Sequence, residues 1–264
     1  MHPVLLKFGR LEIYAYGVML AISFLLGIYW AANRAEKRGI RKDYVMDLSI
    51  LVVIAAIVGS RFLYVVTHLD EFRGRWLDTI SPFQSTGAIG IAGLSMLGGV
   101  VLALAVVIGY CLWRKIEILK LFDVFAPSFA LGLFITRIGC FLNGCCFGKA
   151  CDLPWGVAFP VISPAGATLP GVHIHPTQIY SSIYGLAILI VLVLLDRKQR
   201  FDGFIGAMFF ILYGISRFLV DFVRYYEESV QVHFGSVAIT VNQVISILML
   251  ATGVVMLLVL SRRK

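Results

Sequence analysis

Residues 45–67 read VMDLSILVVIAAIVGSRFLYVVT, and their only charges are Asp47 near the start and Arg61 near the end. A helix crossing a bilayer needs about 20 mostly apolar residues, and this run supplies them. Working outward, six further runs have the same character: roughly 14–33, 89–113, 119–142, 176–195, 203–222 and 237–261. The fourth span in chain order, 119–142, is interrupted by Asp123, Pro127 and Arg137. The third is rich in glycine, which suits close helix contact or a broken helix. The reading is an all-α polytopic membrane protein with about seven transmembrane helices, organised as one integral-membrane domain over residues 1–264.

Composition agrees. Apolar residues make up 59% of the 264 and charged residues 14%, with a mean hydropathy of +0.89. Soluble domains carry about 25% charged residues, and disordered chains need few apolar residues and many charges, so both classes are excluded. The net charge of +8 is largely explained by topology. Of 23 basic residues, 14 fall in the loops after spans 1, 3 and 5 and after span 7, six fall on the other side, and three lie within spans. The positive-inside rule then puts the N-terminus outside and the C-terminus in the cytoplasm, with no nucleic-acid partner required. The first apolar run precedes its basic cluster, which is the polarity of an N-out span and not of a secretory signal.

Polar residues within spans are expensive and are functional candidates by default. Arg61, Arg137, Arg217 with Asp221, Tyr16, and the pair His175 and Gln178 come from five spans. With this orientation they share one depth, near the outer leaflet. Each has a plainer reading. Arg61 can snorkel to the interface, Tyr16 can belong to an aromatic belt, and Asp221 can pair structurally with Arg217 or Arg224. For His175 the favoured reading is capping or packing. Arg137 lies in TRIGCFLNG (136–144), a poor lipid-facing stretch and a plausible helix break. Guanidinium groups match phosphate through a fixed fork of donors, so two arginines at headgroup depth suggest a phospholipid headgroup.

Five cysteines are present, and Cys140, Cys145, Cys146 and Cys151 fall within twelve residues. Their spacing lacks the paired C-x2-C of a zinc site. A disulfide remains open, and small packing residues are the favoured reading. No metal or cofactor is expected.

At these residues the chain resembles the bacterial prolipoprotein diacylglyceryl transferases, nearly end to end. The matching stretches are Tyr14-Ala15-Tyr16-Gly17, Gly59-Ser60-Arg61 through Val65, and Gly93 through Gly98-Gly99. They continue with Arg137-Ile138-Gly139 through Asn143-Gly144 to Gly148, then Asp152 through Val157 and Phe159-Pro160. The last are His175-Pro176-Thr177-Gln178-Ile179-Tyr180, and Tyr213 through Arg217 followed by Asp221 through Arg224.

The resemblance implies transfer of the diacylglyceryl group of phosphatidylglycerol to the lipobox cysteine thiol of a prolipoprotein signal peptide. A thioether forms and glycerol phosphate leaves. It also implies a bacterial cytoplasmic (inner) membrane location with the active site near the outer leaflet. Tyr16, Arg137, Asn143, Gly148 and Arg217 match the family's essential residues, and Tyr213 matches a further tyrosine of interest. Arg61, Gly98, Gly99 and Gln178 fall in its binding motifs. The chain departs from the pattern at Leu97, where many members have His, at Cys140, where many have Asn, and at Cys145, where many have Glu. In this reading Arg137 and Arg217 hold the phosphate and Tyr16 bonds the phosphate or ester region, while the base for the thiol is unassigned, with His175 the nearest imidazole. Two rivals are a small-molecule transporter, which should place its charges at the midplane in repeated halves, and a non-catalytic phospholipid-binding paralogue.

Overall fold

The computed structural model describes residues 4–8, 11–74, 79, 93–198, 200–226, 231–234 and 237–262. In chain order the elements are β1 (Val4–Phe8), β2 (Leu11–Tyr14), α1 (Ala15–Lys37), α2 (Lys42–Thr67), α3 (Met96–Arg114) and α4 (Ile118–Asn143). They continue with α5 (Pro164–Thr168), α6 (Thr177–Asp196), α7 (Phe204–Asp221), β3 (Gln231–Phe234), β4 (Val237–Thr240) and α8 (Val241–Ser261). The strands form two antiparallel hairpins, β1–β2 and β3–β4. All the long helices, α1–α4 and α6–α8, are long and apolar enough to cross a membrane, as expected.

Helix α8 shows why a bilayer is the solvent. It buries Gln243, Ser246 and Gly253 and exposes Val244, Ile247, Leu248, Val255 and Leu258. That inverts the pattern of a soluble amphipathic helix.

The chain divides into two compact units, residues 1–34 with 119–264, and residues 35–118. In the second unit α2 packs on α3 through paired glycines. A Cβ on Gly98 would lie 2.2 Å from the Gly59 carbonyl oxygen, and one on Gly59 would lie 2.4 Å from that of Gly98. Backbones this close gain van der Waals contact, the main association energy available between helices in lipid. In the first unit Ala126 and Ala130 of α4, Ile188, Leu189 and Leu192 of α6, and Phe204, Ile205 and Phe209 of α7 form the core. A smaller apolar cluster of Phe159, Ala165 and Ile174 supports the connection between α4 and α6.

Three boundaries differ from the sequence reading. α4 is not broken at Arg137 or at Pro127. Pro127 lacks an N–H, which frees the carbonyl of Asp123 four residues earlier, and Arg34 Nη2 donates to that oxygen at 3.2 Å. The Asp123 carboxylate is fully buried, yet it does not interrupt the span. It accepts from Gly203 N and Gly206 N, both at 2.8 Å, and so caps the start of α7. The seventh span begins at Val241 and not at 237, because Val237–Thr240 pairs with β3 and Thr240 then starts the helix through a capping box with Gln243. The third span is helical from Met96; residues 89–92 lie outside the described ones.

Candidate functional site

The first unit gathers its polar residues where α4 and α7 end and α1 and α6 begin. α4 stops in a Schellman turn. Gly144 takes the left-handed conformation at φ 74°, its N–H donates to Phe141 O at 3.2 Å, and Cys145 N donates to Cys140 O at 3.2 Å. Cys146 follows at φ 60°. The start of α6 then clasps the turn. Thr177 Oγ1 donates to Cys146 O and Gln178 Nε2 to Cys145 O, both at 2.8 Å.

These bonds fix three thiols in one place. The Sγ atoms of Cys140, Cys145 and Cys146 all lie within 4.8 Å of one another. Cys151 is outside the set, and all five cysteines are free thiols, so the disulfide alternative is not what the fold adopts. Cys140 is buried, whereas Cys145 and Cys146 keep part of their surface open. Hydrogen bonds from Cys140 and Cys145, helped by Arg224 and Arg137, hold the Cys146 thiol below the ordinary thiol range. The Asn143 side chain acts on the Cys145 thiol, whose Sγ donates to Cys140 O at 3.8 Å.

Gly148 is where three chain segments cross. Its N–H donates to His175 O at 3.1 Å, and Lys149 N donates to Val223 O at 2.9 Å. A Cβ on Gly148 would meet His175 Cβ at 2.5 Å, His175 O at 2.6 Å and Val223 O at 2.8 Å. The need for glycine there is steric. His175 serves the same crossing through its backbone, and its Nδ1 lies 3.3 Å from Tyr180 Oη. Trp155 Nε1 donates to that hydroxyl at 2.8 Å.

The two arginines differ in how they are held. Arg217 is buried. Its Nη2 donates to Tyr226 Oη at 2.9 Å and lies 3.5 Å from Asp221 Oδ1. Tyr226 in turn donates to Asp221 Oδ1 and accepts from Asn242 Nδ2 at 3.0 Å, and Thr240 Oγ1 donates to Asp221 Oδ2. Burial, with donation to Asp221, pushes the Tyr226 hydroxyl above its usual range. This mesh grips one edge of the Arg217 guanidinium and leaves Nη1 buried without a partner. Arg137, on α4, makes no hydrogen bond or ion pair with a described residue; its electrostatic neighbours are Cys140, Cys146, Tyr184 and Tyr213. Tyr184 feels both Arg137 and Arg217, so the guanidinium groups share one environment. The Tyr184 hydroxyl and Gln178 Oε1 are also buried without partners. Buried polar atoms normally have partners; these three lie on α6 and α7, and Arg34 Nε, Arg114 Nε and Ser128 Oγ are further such atoms elsewhere in the chain.

The remaining sequence candidates fall as follows. Tyr16 joins the site from α1. Its backbone abuts Gly139, where a Cβ would lie 3.3 Å from Tyr16 Cα, and its hydroxyl feels Arg137 and the three thiols. Tyr213 stacks on Phe209 and meets Tyr184 edge-on. Arg61, Gly98 and Gly99 belong to the second unit. Arg61 donates to Thr79 O at 2.9 Å and Gly93 O at 3.1 Å, with the Phe72 ring 5.0 Å from its guanidinium carbon. That is a clamp on its own loop. Gly98 and Gly99 face α2, where a Cβ would strike Gly59 and Ser60.

Sequence reasoning missed Tyr184, Tyr226, Thr240 and Asn242. Tyr184 carried a signal, because Gln178, Ser181, Ser182 and Gly185 form a buried small and polar stripe on an apolar span. The other three become visible only once the hairpin β3–β4 delivers the start of α8.

A family model described as prolipoprotein diacylglyceryl transferase matches residues 3–259. Similar proteins include three named phosphatidylglycerol–prolipoprotein diacylglyceryl transferase. That of Clostridium tetani is 34% identical, over 85% of this chain and 86% of its own length. A second, numbered 2, from Clostridium perfringens is 33% identical over 97% and 94%. One from Finegoldia magna is 30% identical over 93% and 90%.

Proposed function

The chain belongs to the prolipoprotein diacylglyceryl transferase family, and on that premise we propose how its own residues carry the family's reaction. It transfers the diacylglyceryl group of phosphatidylglycerol to the lipobox cysteine thiol of a prolipoprotein signal peptide. A thioether forms and glycerol phosphate is released, the first step of lipoprotein maturation. The protein works in a bacterial inner membrane, N-terminus out, with the site near the outer leaflet.

The observation that carries this reading is two guanidinium groups in one environment, Arg217 of α7 with a buried, unpartnered Nη1 and Arg137 of α4 with no hydrogen bond to a described residue. The reaction displaces a phosphate monoester from the glycerol carbon. Charge grows on the leaving oxygen as the C–O bond breaks, and donors already in place stabilise it without reorganisation. Arg217, oriented by Asp221 and Tyr226, offers Nη1; Arg137 offers its whole fork. Tyr16, Tyr184 and Gln178 supply neutral hydrogen bonds around the headgroup. Holding donor lipid and acceptor thiol in line contributes up to ~7–11 kcal/mol in well-oriented cases.

The test is release of glycerol phosphate from phosphatidylglycerol vesicles by the purified chain. Release should require a lipobox peptide and stop when its cysteine is replaced by serine. Thiol-independent release, or none, would refute the assignment.

A further inference from the structure

In-line displacement needs a thiolate, and among the described residues the site offers no evident base to make one. Its imidazole, His175, is engaged with Tyr180. Its carboxylate, Asp221, accepts from Tyr226 and Thr240 beside Arg217. What the site does offer is three sulfurs. We propose that Cys140, Cys145 and Cys146 bind a Zn²⁺ ion whose fourth position takes the acceptor thiol. This rests on the functional reading above for the identity of the acceptor.

The geometry supports it on three counts. The sulfurs lie within 4.8 Å of one another, and Zn–S bonds of about 2.3 Å put tetrahedral sulfurs about 3.8 Å apart, so closure needs a shift of about 1 Å at most. The ligands are preorganised, since the Schellman turn fixes Cys140 against Cys145 while Thr177 and Gln178 hold the backbone of both later cysteines. The partial exposure of Cys145 and Cys146 leaves an approach for a fourth ligand. Three protein ligands with one open position is the pattern of a catalytic zinc site, and thiolates favour zinc among common divalent ions.

Charge balance agrees. Zn²⁺ with four thiolates carries two net negative charges, and Arg137 and Arg224 both act on Cys146. The ion also sits beside the phosphate site, because Arg137 is an electrostatic neighbour of Cys140 and Cys146.

The step balances without a redox partner. The acceptor S–H binds the ion and its proton passes to water, since a coordinating thiol is deprotonated outright. A sulfur electron pair forms the S–C bond at the lipid glycerol carbon. The C–O bond to phosphate breaks, and its electrons leave with glycerol phosphate. The thioether, a weaker ligand, then departs and reopens the fourth position.

The experiment uses the full chain purified in detergent. Elemental analysis should find roughly one zinc per chain, retained in Cys151→Ala and largely lost in Cys146→Ala and Cys140→Ser. Chelation followed by Co²⁺ should give thiolate-to-cobalt absorption in the near ultraviolet. That band should shift on adding a lipobox peptide and not its Cys→Ser version. Chelated protein should lose transfer and regain it with Zn²⁺, which removes any doubt about variants that fail to fold. Full transfer by metal-free protein, or a cobalt complex lacking thiolate absorption, would overturn the proposal and leave the functional reading intact. A peptide-sensitive cobalt band without any diacylglyceryl transfer would keep the metal site and sink the functional reading.

Discussion

Arg137 and Arg217 should fail differently when replaced, because one is unpartnered and the other is built into a mesh. Arg137→Lys keeps the charge and loses the planar fork. Removing one set of charge-stabilising donors costs about 10²–10³ in turnover, or ~2.7–4 kcal/mol of transition-state stabilisation. Its stability cost should be small, within about 1 kcal/mol, since Arg137 leaves no described hydrogen-bond partner behind. Arg217→Ala should lose activity to a similar degree and also destabilise the protein. Its side chain is 8% exposed and the Asp221 side chain 0%, and breaking a buried pair costs about 3–5 kcal/mol. Tyr226 and Thr240 still donate to Asp221, which places the cost at the lower end. The assay is diacylglyceryl transfer to a lipobox peptide at matched protein concentration, beside thermal unfolding in the same detergent. Arg137→Lys within tenfold of normal turnover would refute the phosphate assignment. Equal losses of thermal stability in both variants would refute the distinction between the two settings.

Other outcomes follow from the same structure. Gly98→Val should destabilise the second unit, because its Cβ would lie 2.2 Å from the Gly59 carbonyl oxygen, while Gly109→Ala, with nothing within 4 Å, should be near neutral; thermal unfolding compares them. The raised range of the Tyr226 hydroxyl means that the folded state holds that proton more tightly than the unfolded one. The stability this provides is complete below a free tyrosine's range, near pH 10, and is lost as pH rises beyond it. Tyr226→Phe should flatten the alkaline fall in unfolding temperature. In intact cells, a cysteine introduced near Gly166 should react with an impermeant thiol reagent and one near Arg38 should not, and the reverse would overturn the orientation.

Length and hydropathy made the seven helices legible, because spanning segments have to satisfy their own backbone. Four of the five site residues carried over as essential, Tyr16, Arg137, Asn143 and Arg217, meet in the first unit with side chains at the site. Gly148 meets them there as a steric crossing. Arg61, Gly98 and Gly99 are expected as ligand contacts from motif membership alone, and within the chain they hold a loop and a helix pair. The break expected near Arg137 failed for a related reason. Gly139 and Gly144 look alike in sequence, yet one admits the backbone of α1 and the other takes the left-handed turn that ends α4. The cysteine cluster is visible in the sequence, but not that three of its thiols meet, because C-x2-C spacing is a rule for ligands on short loops. Here a helix end supplies one sulfur and its C-terminal turn the other two.

The two ends of the same helices treat their polar groups differently. Where α1 and α6 end and α4 and α7 begin, the charged groups are engaged. Arg34 donates to both Asp196 oxygens, at 2.6 and 3.0 Å, and to the carbonyl that Pro127 frees. Asp123 spends its carboxylate on the first turn of α7. At the opposite end the same residue types are left open: Arg137 without a hydrogen bond, Arg217 with a buried Nη1, Tyr184 and Gln178 with orphaned oxygens. An unsatisfied buried polar group costs about 1–3 kcal/mol, and among the described residues this end carries three: Arg217 Nη1, Tyr184 Oη and Gln178 Oε1. The other end leaves one such atom as well, Arg34 Nε, but there the rest of the guanidinium and the facing carboxylates are engaged. On the proposed function, the groups left open at this end have a use: two guanidinium forks and neutral hydrogen-bonding groups suit an anionic headgroup that comes and goes.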